Sequence, residues 1–231
     1  MLDRKNQRTN SERRIEEKQH ILAKLILMDK TKTKKGQIVI LSGPSGVGKS
    51  TISKQIVERL DDACLSISAT TRPKSKTEIN GKDYWFITKE EFQDLIDKRM
   101  LLEYADVFGN MYGTPKDKVD EILEEGKTII LEIDVQGARQ VKTLYPDTLM
   151  IFILPPSTKV LSERITNRGR GDTTEAVELR LDGANAEIAA AWRYYEHMIV
   201  NDDLDQAINE CVQIIRQAKK ENYKTEKSQN E

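Results

Sequence analysis

The stretch GPSGVGKST, residues 43–51, has the residue types and the spacing of a loop that binds phosphate groups. The fixed positions of the pattern G-x-x-x-x-G-K-[ST] are filled by Gly43, Gly48, Lys49 and Ser50. Glycines let successive backbone N–H groups point at an anion, and the positive end of a following helix adds to the attraction. Lys49 is expected to reach the β- and γ-phosphates of ATP. The hydroxyl of Ser50 or Thr51 is expected to act on the hydrated Mg²⁺ that accompanies ATP.

The predicted ATP-binding residues are therefore the whole loop: Gly43, Pro44, Ser45, Gly46, Val47, Gly48, Lys49, Ser50 and Thr51. The flanks of this loop predict the elements that position it. QIVILS precedes it and is rich in β-branched residues, whereas ISKQIVERL follows it and has a helical pattern. A strand before the loop and a helix after it are the context that a phosphate-binding loop requires.

Strand-like and helix-like segments alternate along the rest of the chain. The further strand-like runs are CLSIS, TIILEID, LMIFIL and HMIVN. The predicted helices are STISKQIVERLDD, KDKVDEILEEG, QGARQVKTLY, STKVLSERITNR, TTEAVELRLDGANAEIAAAWRYYEH and DLDQAINECVQIIRQAKK, and a polar tail, NYKTEKSQNE, follows them. This alternation predicts an α/β fold in which a parallel sheet is flanked by helices on both faces.

Composition restricts the classes of function. Of the 231 residues, 32% are charged and 38% apolar, and the formal net charge is −1, as in a soluble globular protein. The chain as a whole lacks the excess of positive charge that would suggest nucleic acid binding. The apolar run ILAKLILM is far shorter than the roughly 20 residues that cross a bilayer. Two cysteines and two histidines have no metal-ligand spacing, which favours a reducing, cytoplasmic compartment.

The first 36 residues differ from the rest in charge. They contain eleven Lys/Arg and five Asp/Glu, a net charge of +6 that leaves −7 for the remainder. NSERRIEEKQHILAKLILM predicts a helix, and the basic linker TKTKKG follows it. Three interpretations remain open: an appendage or a helix packed on its own domain, a segment that binds a partner, and a segment that lies on a membrane surface.

A second set of motifs lies downstream of the loop. It comprises SISATTRPKSKTEINGKDYWF at 66–86, LLEYADVFGNMYGTP at 101–115 and LEIDVQGA at 131–138. With these motifs the sequence resembles guanylate kinase from about residue 37 to residue 219. The specific part of the resemblance is the order of TTR, NGKDYWF, E-x-x-x-x-x-G-N-x-Y-G-T, EIDVQGA and IVNDD. It implies an enzyme that transfers the γ-phosphoryl group of ATP to GMP, giving ADP and GDP, in guanine nucleotide metabolism.

The resemblance also implies a P-loop NTPase core with an inserted arm that binds the nucleoside monophosphate (NMP) and a helical lid. The basic extension and linker cover residues 1–36, and the guanylate kinase-like domain covers 37–221. Its expected parts are a core of 37–68, 115–156 and 188–221, an NMP-binding arm of 69–114 and a lid of 157–187. Residues 222–231 are the polar tail. Monomer and homodimer both remain open.

Roles carry over from the family to matching residues of this sequence. Glu103 would accept hydrogen bonds from guanine N1–H and the exocyclic amine, and Asp134 would lie near the same amine, which reads guanine and rejects adenine. Ser68 and Thr114 would address the guanine edge or its surroundings. The phosphate of GMP would be held by Arg72, Tyr84 and Tyr112. The GMP-binding residues are thus Ser68, Arg72, Tyr84, Glu103, Tyr112, Thr114 and Asp134.

Phosphoryl transfer needs charge stabilisation and alignment more than covalent help. The resemblance assigns that work to Lys49, Arg72, Arg164, Arg168 and Arg180, of which the last three lie in the segment LSERITNRGRGDTTEAVELRL that resembles the family's lid. No general base is required, because the acceptor oxygen of GMP is already anionic. Glu132 would hold Mg²⁺ through water, together with Ser50.

One departure leaves a rival hypothesis open. Ser75 stands where the family usually has a second phosphate-binding arginine, and Thr77 replaces the glycine before Glu78. Lys74 and Lys76 flank the position, but lysine does not reproduce the bidentate fork of arginine. One alternative is a divergent kinase paralogue with weakened or altered acceptor specificity. A less favoured alternative is a non-catalytic interaction module, because family modules that only bind peptides typically have a degraded phosphate loop.

Overall fold

The computed structural model describes residues 36–107, 109–166 and 174–228, with side chains except at 174–180 and 223–228. The extension that the sequence predicts at 1–36 therefore lies almost entirely outside the described residues. The strands in chain order are β1 (Gln37–Ser42), β2 (Ala63–Leu65), β3 (Ala69–Thr70), β4 (Trp85–Phe86), β5 (Leu101–Val107), β6 (Asn110–Pro115), β7 (Thr128–Leu131), β8 (Leu149–Leu154) and β9 (His197–Val200).

Seven helices lie between and after these strands in the described part of the chain. They are α1 (Lys49–Arg59), α2 (Lys89–Asp97), α3 (Lys116–Glu124), α4 (Val135–Leu144), α5 (Thr158–Thr166), α6 (Thr174–Tyr194) and α7 (Leu204–Ser228). Helix α2 begins with a reciprocal cap in which the Thr88 hydroxyl accepts from the Glu91 N–H and the Glu91 carboxylate accepts from the Thr88 N–H. Helix α4 begins with a simpler cap, in which the Asp134 carboxylate accepts a hydrogen bond from the Gly137 N–H.

The central sheet is parallel and has the strand order β2-β7-β1-β8-β9. Its middle strand, β1, is buried along its whole length and contributes side chains to two hydrophobic cores, one on each face of the sheet. Val39 and Leu41 pack toward α1 and α7, whereas Ile38 and Ile40 pack toward α3, α4 and α6, because alternate side chains of a strand point to opposite faces. The predicted α/β fold with helices on both faces is confirmed.

A second sheet is formed by the part of the chain that follows β2 and precedes α3. Its strand order is β4-β3-β6-β5. The β5–β6 hairpin is antiparallel and pairs Tyr104 with Gly113 and Ala105 with Tyr112. Strand β3 pairs antiparallel with β6 and parallel with β4. This sheet occupies the region expected to form the NMP-binding arm, and its short strands had no recognisable period in the sequence.

Several boundaries differ from the sequence-based expectation. TIILEID was expected as one strand, but β7 ends at Leu131, so that Glu132 and Asp134 lie beyond the sheet at its carboxyl edge. CLSIS was also expected as a strand, and only Ala63–Leu65 pairs as one, along β7. The polar tail was predicted to begin at residue 222, whereas α7 continues to Ser228. The added residues NYKTEKS include two lysines and a glutamate, which are good helix formers and favour the longer helix. None of the helices among the described residues is both long and apolar enough to span a membrane.

Candidate active site

The loop of residues 43–48 joins the buried strand β1 to helix α1. Gly48 precedes the helix with φ 105°, a left-handed conformation that side chains rarely tolerate. A Cβ atom on Gly48 would also lie 2.7 Å from Nδ2 of Asn201, which donates a 2.8 Å hydrogen bond to the Val47 carbonyl. Among the described side chains none caps the start of α1, so this positive helix end is left for an anion.

Lys49 lies folded over the loop. Its Nζ donates a hydrogen bond to the carbonyl of Gly43 and a second one, of 3.2 Å, to the carbonyl of Pro44. The ammonium is thereby held beside the backbone groups that form the loop. Thr51, predicted beside Ser50 as a ligand for the nucleotide, begins the helical turns with its N–H bonded to the Gly48 carbonyl at 3.1 Å.

The carboxylate of Glu132 lies against the first turns of α1. The Ser50 hydroxyl donates to Oε2 of Glu132 at 2.9 Å, and the buried Ser53 hydroxyl donates to Oε1. Ser53 was not predicted from the sequence, because a serine inside a helix gives no signal of what it faces. Hard oxygen donors of this kind suit Mg²⁺ that keeps most of its waters. No group of three or more His, Cys, Asp or Glu side chains within 36–107, 109–166 and 174–228 could hold a metal ion alone.

Glu103 and Thr114 form the interior of the second sheet. Glu103 on β5 is only 4% exposed, and Thr114 on β6 is fully buried. The Thr114 hydroxyl donates a 2.6 Å hydrogen bond to Oε1 of Glu103. Ser68, the third residue predicted near the base, is half-buried just before β3 and accepts the Trp85 N–H at its carbonyl.

Burial raises the pKa of the Glu103 carboxyl to about 7. The hydrogen bond from Thr114 opposes this shift, and the negative charge of Asp134 adds to it. Glu103 and Asp134 are therefore electrostatic neighbours, although Glu103 lies on β5 of the second sheet and Asp134 at the start of α4. A buried carboxylate with a perturbed pKa and few partners is a feature of binding and catalytic sites.

Arg72, Tyr84 and Tyr112 form a cluster that the sequence predicted. Nε of Arg72 donates to the Tyr112 hydroxyl at 3.2 Å, and the guanidinium lies 5.4 Å from the centre of the Tyr84 ring. The two tyrosine rings meet edge to face with centroids 5.9 Å apart. Burial raises the pKa of Tyr84, and the phenol of Tyr112 and the charge of Glu132 add to that shift. The carboxylate of Glu132, which accepts from Ser50 of α1, is thus near enough to Tyr84 for its charge to act on the phenol.

Glu78 is the ionic partner of Arg72. The two terminal nitrogens of Arg72 donate to the Glu78 carboxylate at 2.6 and 3.1 Å, a bidentate pair. These hydrogen bonds from Arg72, helped by the Ser75 N–H, lower the pKa of Glu78 to about 2. Lys74 does not extend toward the tyrosines: its Nζ donates to the carbonyls of Ser75 and Glu78 at 3.3 and 2.8 Å.

Glu187 on α6 is a buried acidic residue near the P-loop lysine that the sequence did not reveal. Burial raises the pKa of its carboxyl to about 7; the charge of Lys49 opposes the shift and that of Asp134 adds to it. Glu187 is thus near enough to both the P-loop lysine and Asp134 for their charges to act on it. Directly after the end of α6, the Tyr195 hydroxyl donates to Ser42 at 2.7 Å, which ties the end of this helix to the end of β1.

Of the three arginines expected in the lid, Arg164 is the one whose side chain is described. Arg164 on α5 donates to the Val47 carbonyl at 3.5 Å and to the Asn201 carbonyl at 3.1 Å, so its guanidinium lies against the P-loop. Leu161 and Ile165 pack α5 on Ala184 of α6. Arg168 lies outside the described residues, and Arg180 belongs to α6 with its side chain outside that description.

Three comparisons identify what the chain is similar to. Residues 35–218 match the family model described as guanylate kinase. The chain is 49% identical over 181 residues to the guanylate kinase of Synechocystis sp., covering 78% of this chain and 94% of that protein. It is 47% identical to the guanylate kinase of Carboxydothermus hydrogenoformans, with 78% and 88% covered. The crystal structure of guanylate kinase from Anaplasma phagocytophilum aligns with a TM-score of 0.67 and 33% identity, covering 81% of this chain and 88% of that one.

Proposed function

Since the chain belongs to the guanylate kinase family and transfers the γ-phosphoryl group of ATP to GMP, giving ADP and GDP, we propose that the residues around the P-loop and Glu103 carry this reaction. The observation that supports this assignment best is a line of electrostatic neighbours. The charges of Lys49 and Asp134 both act on the carboxyl of Glu187, and the charge of Asp134 also acts on the carboxyl of Glu103. This line joins the loop for the triphosphate to the pocket for the base.

Guanine is recognised by acceptors. Glu103 accepts hydrogen bonds from guanine N1–H and the exocyclic amine, and Asp134 lies beside the same amine. Thr114 holds one oxygen of Glu103, and Ser68 lines the same end of the second sheet. Adenine has no N1–H and would leave the carboxylate of Glu103 buried without its donors, which costs free energy and produces the discrimination.

The phosphate of GMP is held by Arg72, Tyr84 and Tyr112. The guanidinium of Arg72 is bound to Glu78, the Tyr112 hydroxyl accepts a hydrogen bond from it, and the Tyr84 ring lies 5.4 Å away. A guanidinium fork matches a dianionic phosphate, and phenols donate to its remaining oxygens. Arg72 then aligns the acceptor oxygen with the γ-phosphorus of ATP.

The chemical step is an in-line displacement. A phosphate oxygen of GMP forms a bond to the γ-phosphorus while the bond to the β,γ-bridging oxygen breaks, and ADP leaves. Lys49 and the P-loop N–H groups hold the triphosphate, and Arg164 supports the loop through the Val47 carbonyl. Arg168 and Arg180 close over the transferring group as the lid shuts, which excludes water that would otherwise hydrolyse ATP.

The cation of this proposal is Mg²⁺, delivered with ATP. When bound, it neutralises the charge on the β- and γ-phosphates. The oxygen donors near the P-loop fit it: Ser50 offers a hydroxyl, and Glu132 offers a carboxylate to waters of the cation, held in place by Ser53. Glu132 is oriented by protein hydroxyls, as outer residues of metal sites usually are.

The division into moving parts belongs to the proposal as well. The arm of 69–114 contains nearly all of the second sheet together with α2, and the lid of 157–187 contains α5 and most of α6. Both surround the carboxyl edge of the parallel sheet, where ligands of open α/β sheets bind. The enzyme is expected in the cytoplasm, in keeping with two free cysteines, Cys64 and Cys211.

One experiment tests the function together with its rival. ADP release is measured with ATP and Mg²⁺ against GMP, dGMP, AMP, UMP and CMP, with Lys49→Ala as the blank. We expect strong turnover with GMP, weaker turnover with dGMP and no significant turnover with the other three. Strong turnover with another monophosphate and little with GMP would instead support the divergent paralogue that Ser75 left open.

A further inference from the structure

Gly137 occupies an unusual position for a glycine. It lies in the first turn of α4, and its φ is not among the positive values found for glycines in the described residues. The backbone at this position is therefore one that any residue adopts. Glycine is also the poorest helix former apart from proline. Neither turn geometry nor helix stability explains why this residue has no side chain.

The space beside Gly137 does explain it. A Cβ atom there would lie 2.5 Å from Oε2 of Glu103, 3.0 Å from its Cδ and 3.3 Å from its Cγ. Such a contact is impossible unless the carboxylate moves. Glu103 is almost completely buried, and its other oxygen is bound to Thr114, so a shift of the carboxylate would disturb a packed region and this hydrogen bond.

Gly137 also contacts the second acidic residue of the site. Its N–H donates a 2.8 Å hydrogen bond to Oδ1 of Asp134, the cap of α4. The same residue thus orients Asp134 through its backbone and makes room for Glu103 through its missing Cβ. One position of the chain therefore contacts both carboxylates.

We propose that Gly137 is a specificity-determining positioning residue, which fixes Glu103 and Asp134 so that both meet the amine-bearing edge of guanine. This inference rests on the proposed function of those two carboxylates. Gly137 itself makes no contact with the base. Any larger residue at 137 displaces the Glu103 carboxylate from the positions of its two donors and weakens the preference for guanine.

The test compares GMP with inosine monophosphate, whose base has N1–H but no exocyclic amine. For Gly137→Ala we expect the ratio of kcat/KM for GMP to that for inosine monophosphate to fall at least about tenfold, since a carboxylate loses a hydrogen-bonded donor. The KM for ATP stays within about twofold. The matched control is Gly183→Ala: Gly183 lies within α6, and a Cβ there would meet nothing within 4 Å. Its ratio stays at the wild-type value.

A double-mutant cycle with Glu103→Asp separates positioning from general damage. The shorter side chain withdraws from residue 137, so Gly137→Ala should change kcat/KM for GMP by less than about twofold in this background. A further large loss in the Glu103→Asp background would overturn the inference, and so would an equal loss for both substrates in Gly137→Ala alone. If Gly137→Ala does not fold, the comparison of Glu103→Asp with the double variant decides in the same way.

Failure of the proposed function would look different. Glu103→Asp with the wild-type preference for GMP over inosine monophosphate would show that Glu103 does not read guanine. A changed preference in Glu103→Asp with an unchanged one in Gly137→Ala would overturn the role of Gly137 alone.

Discussion

The hydroxyl of Thr114 donates a 2.6 Å hydrogen bond to Oε1 of Glu103 in a place where both side chains are buried. This bond, together with a weaker one from the Thr114 backbone, opposes the rise that burial produces in the pKa of Glu103. Thr114 therefore helps to keep a carboxylate ionised where water does not reach it. It also leaves the second oxygen, Oε2, facing Gly137.

Thr114→Val is expected to weaken the use of GMP. The variant keeps the shape of the side chain but leaves Oε1 of Glu103 without its donor, and a hydrogen bond to a charged group contributes about 1.5–3 kcal/mol. We expect kcat/KM for GMP to fall about tenfold or more, with little change in the KM for ATP. Thr114→Ser retains the hydroxyl and should stay near wild type. An equal loss in both variants would contradict this role.

The pH dependence of stability should report Glu103. Its pKa is raised from 4.5 to about 7 in the folded chain, so between these values the folded state binds more protons than the unfolded one. The free energy of unfolding therefore falls as pH rises through this window. Relative to Glu103→Gln, the wild type should lose about 2–3 kcal/mol between about pH 5 and pH 8. Urea unfolding without nucleotide measures this difference; parallel curves for the two proteins would refute it.

Ser53→Ala should affect the response to Mg²⁺. The buried hydroxyl orients Glu132, and its loss leaves Ser50 as the remaining hydroxyl partner described for that carboxylate. Residues that orient metal-site groups typically change metal affinity 10–100-fold when they are lost. We expect the Mg²⁺ concentration for half-maximal activity to rise about tenfold while the KM for GMP is unchanged. A rise in the KM for GMP alone would assign Ser53 elsewhere.

Ser75→Arg tests the departure from the family pattern. Ser75 donates to Glu78 through its N–H and accepts from Lys74 at its carbonyl, and these two backbone bonds survive a change of side chain, whereas the bond from its hydroxyl to Glu78 is lost. A second guanidinium near the phosphate of GMP should lower the KM for GMP about tenfold. Ser75→Ala should match the wild type. No gain in Ser75→Arg would mean that neighbouring lysines already supply the missing charge.

Removal of residues 1–35 tests the basic extension. If this segment is only an appendage, the shortened chain should keep its kinetics, its melting temperature and its oligomeric state, measured by light scattering. A lower melting temperature would support a helix packed on the domain. A change in oligomeric state or the loss of binding to anionic vesicles would support the partner and membrane-surface alternatives respectively.

The sequence by itself determined the fold class and most elements of the core. The order of β-branched runs and helical segments is a local signal, and so is the glycine pattern of the phosphate loop between QIVILS and α1. The grouping of Arg72 with Tyr84 and Tyr112 followed from the family resemblance, and the structure brings these three together. The two-residue strands β3 and β4 were missed because a strand so short has no period to detect.

Only the tertiary structure decided which distant residues serve the same group. Ser53 and Glu132 are 79 residues apart in the sequence, yet the Ser53 hydroxyl donates a hydrogen bond to the Glu132 carboxylate. The charge of Lys49 acts on Glu187, and the missing side chain of Gly137 leaves space for Glu103. Both relationships arise because the sheet and the helices packed on it bring separate segments of the chain to one edge. Local patterns encode helices and strands through backbone geometry and the burial of one face. The contacts that complete this site depend on how those elements pack, and a serine, a glutamate or a glycine within a helix carries no local mark of its distant neighbour.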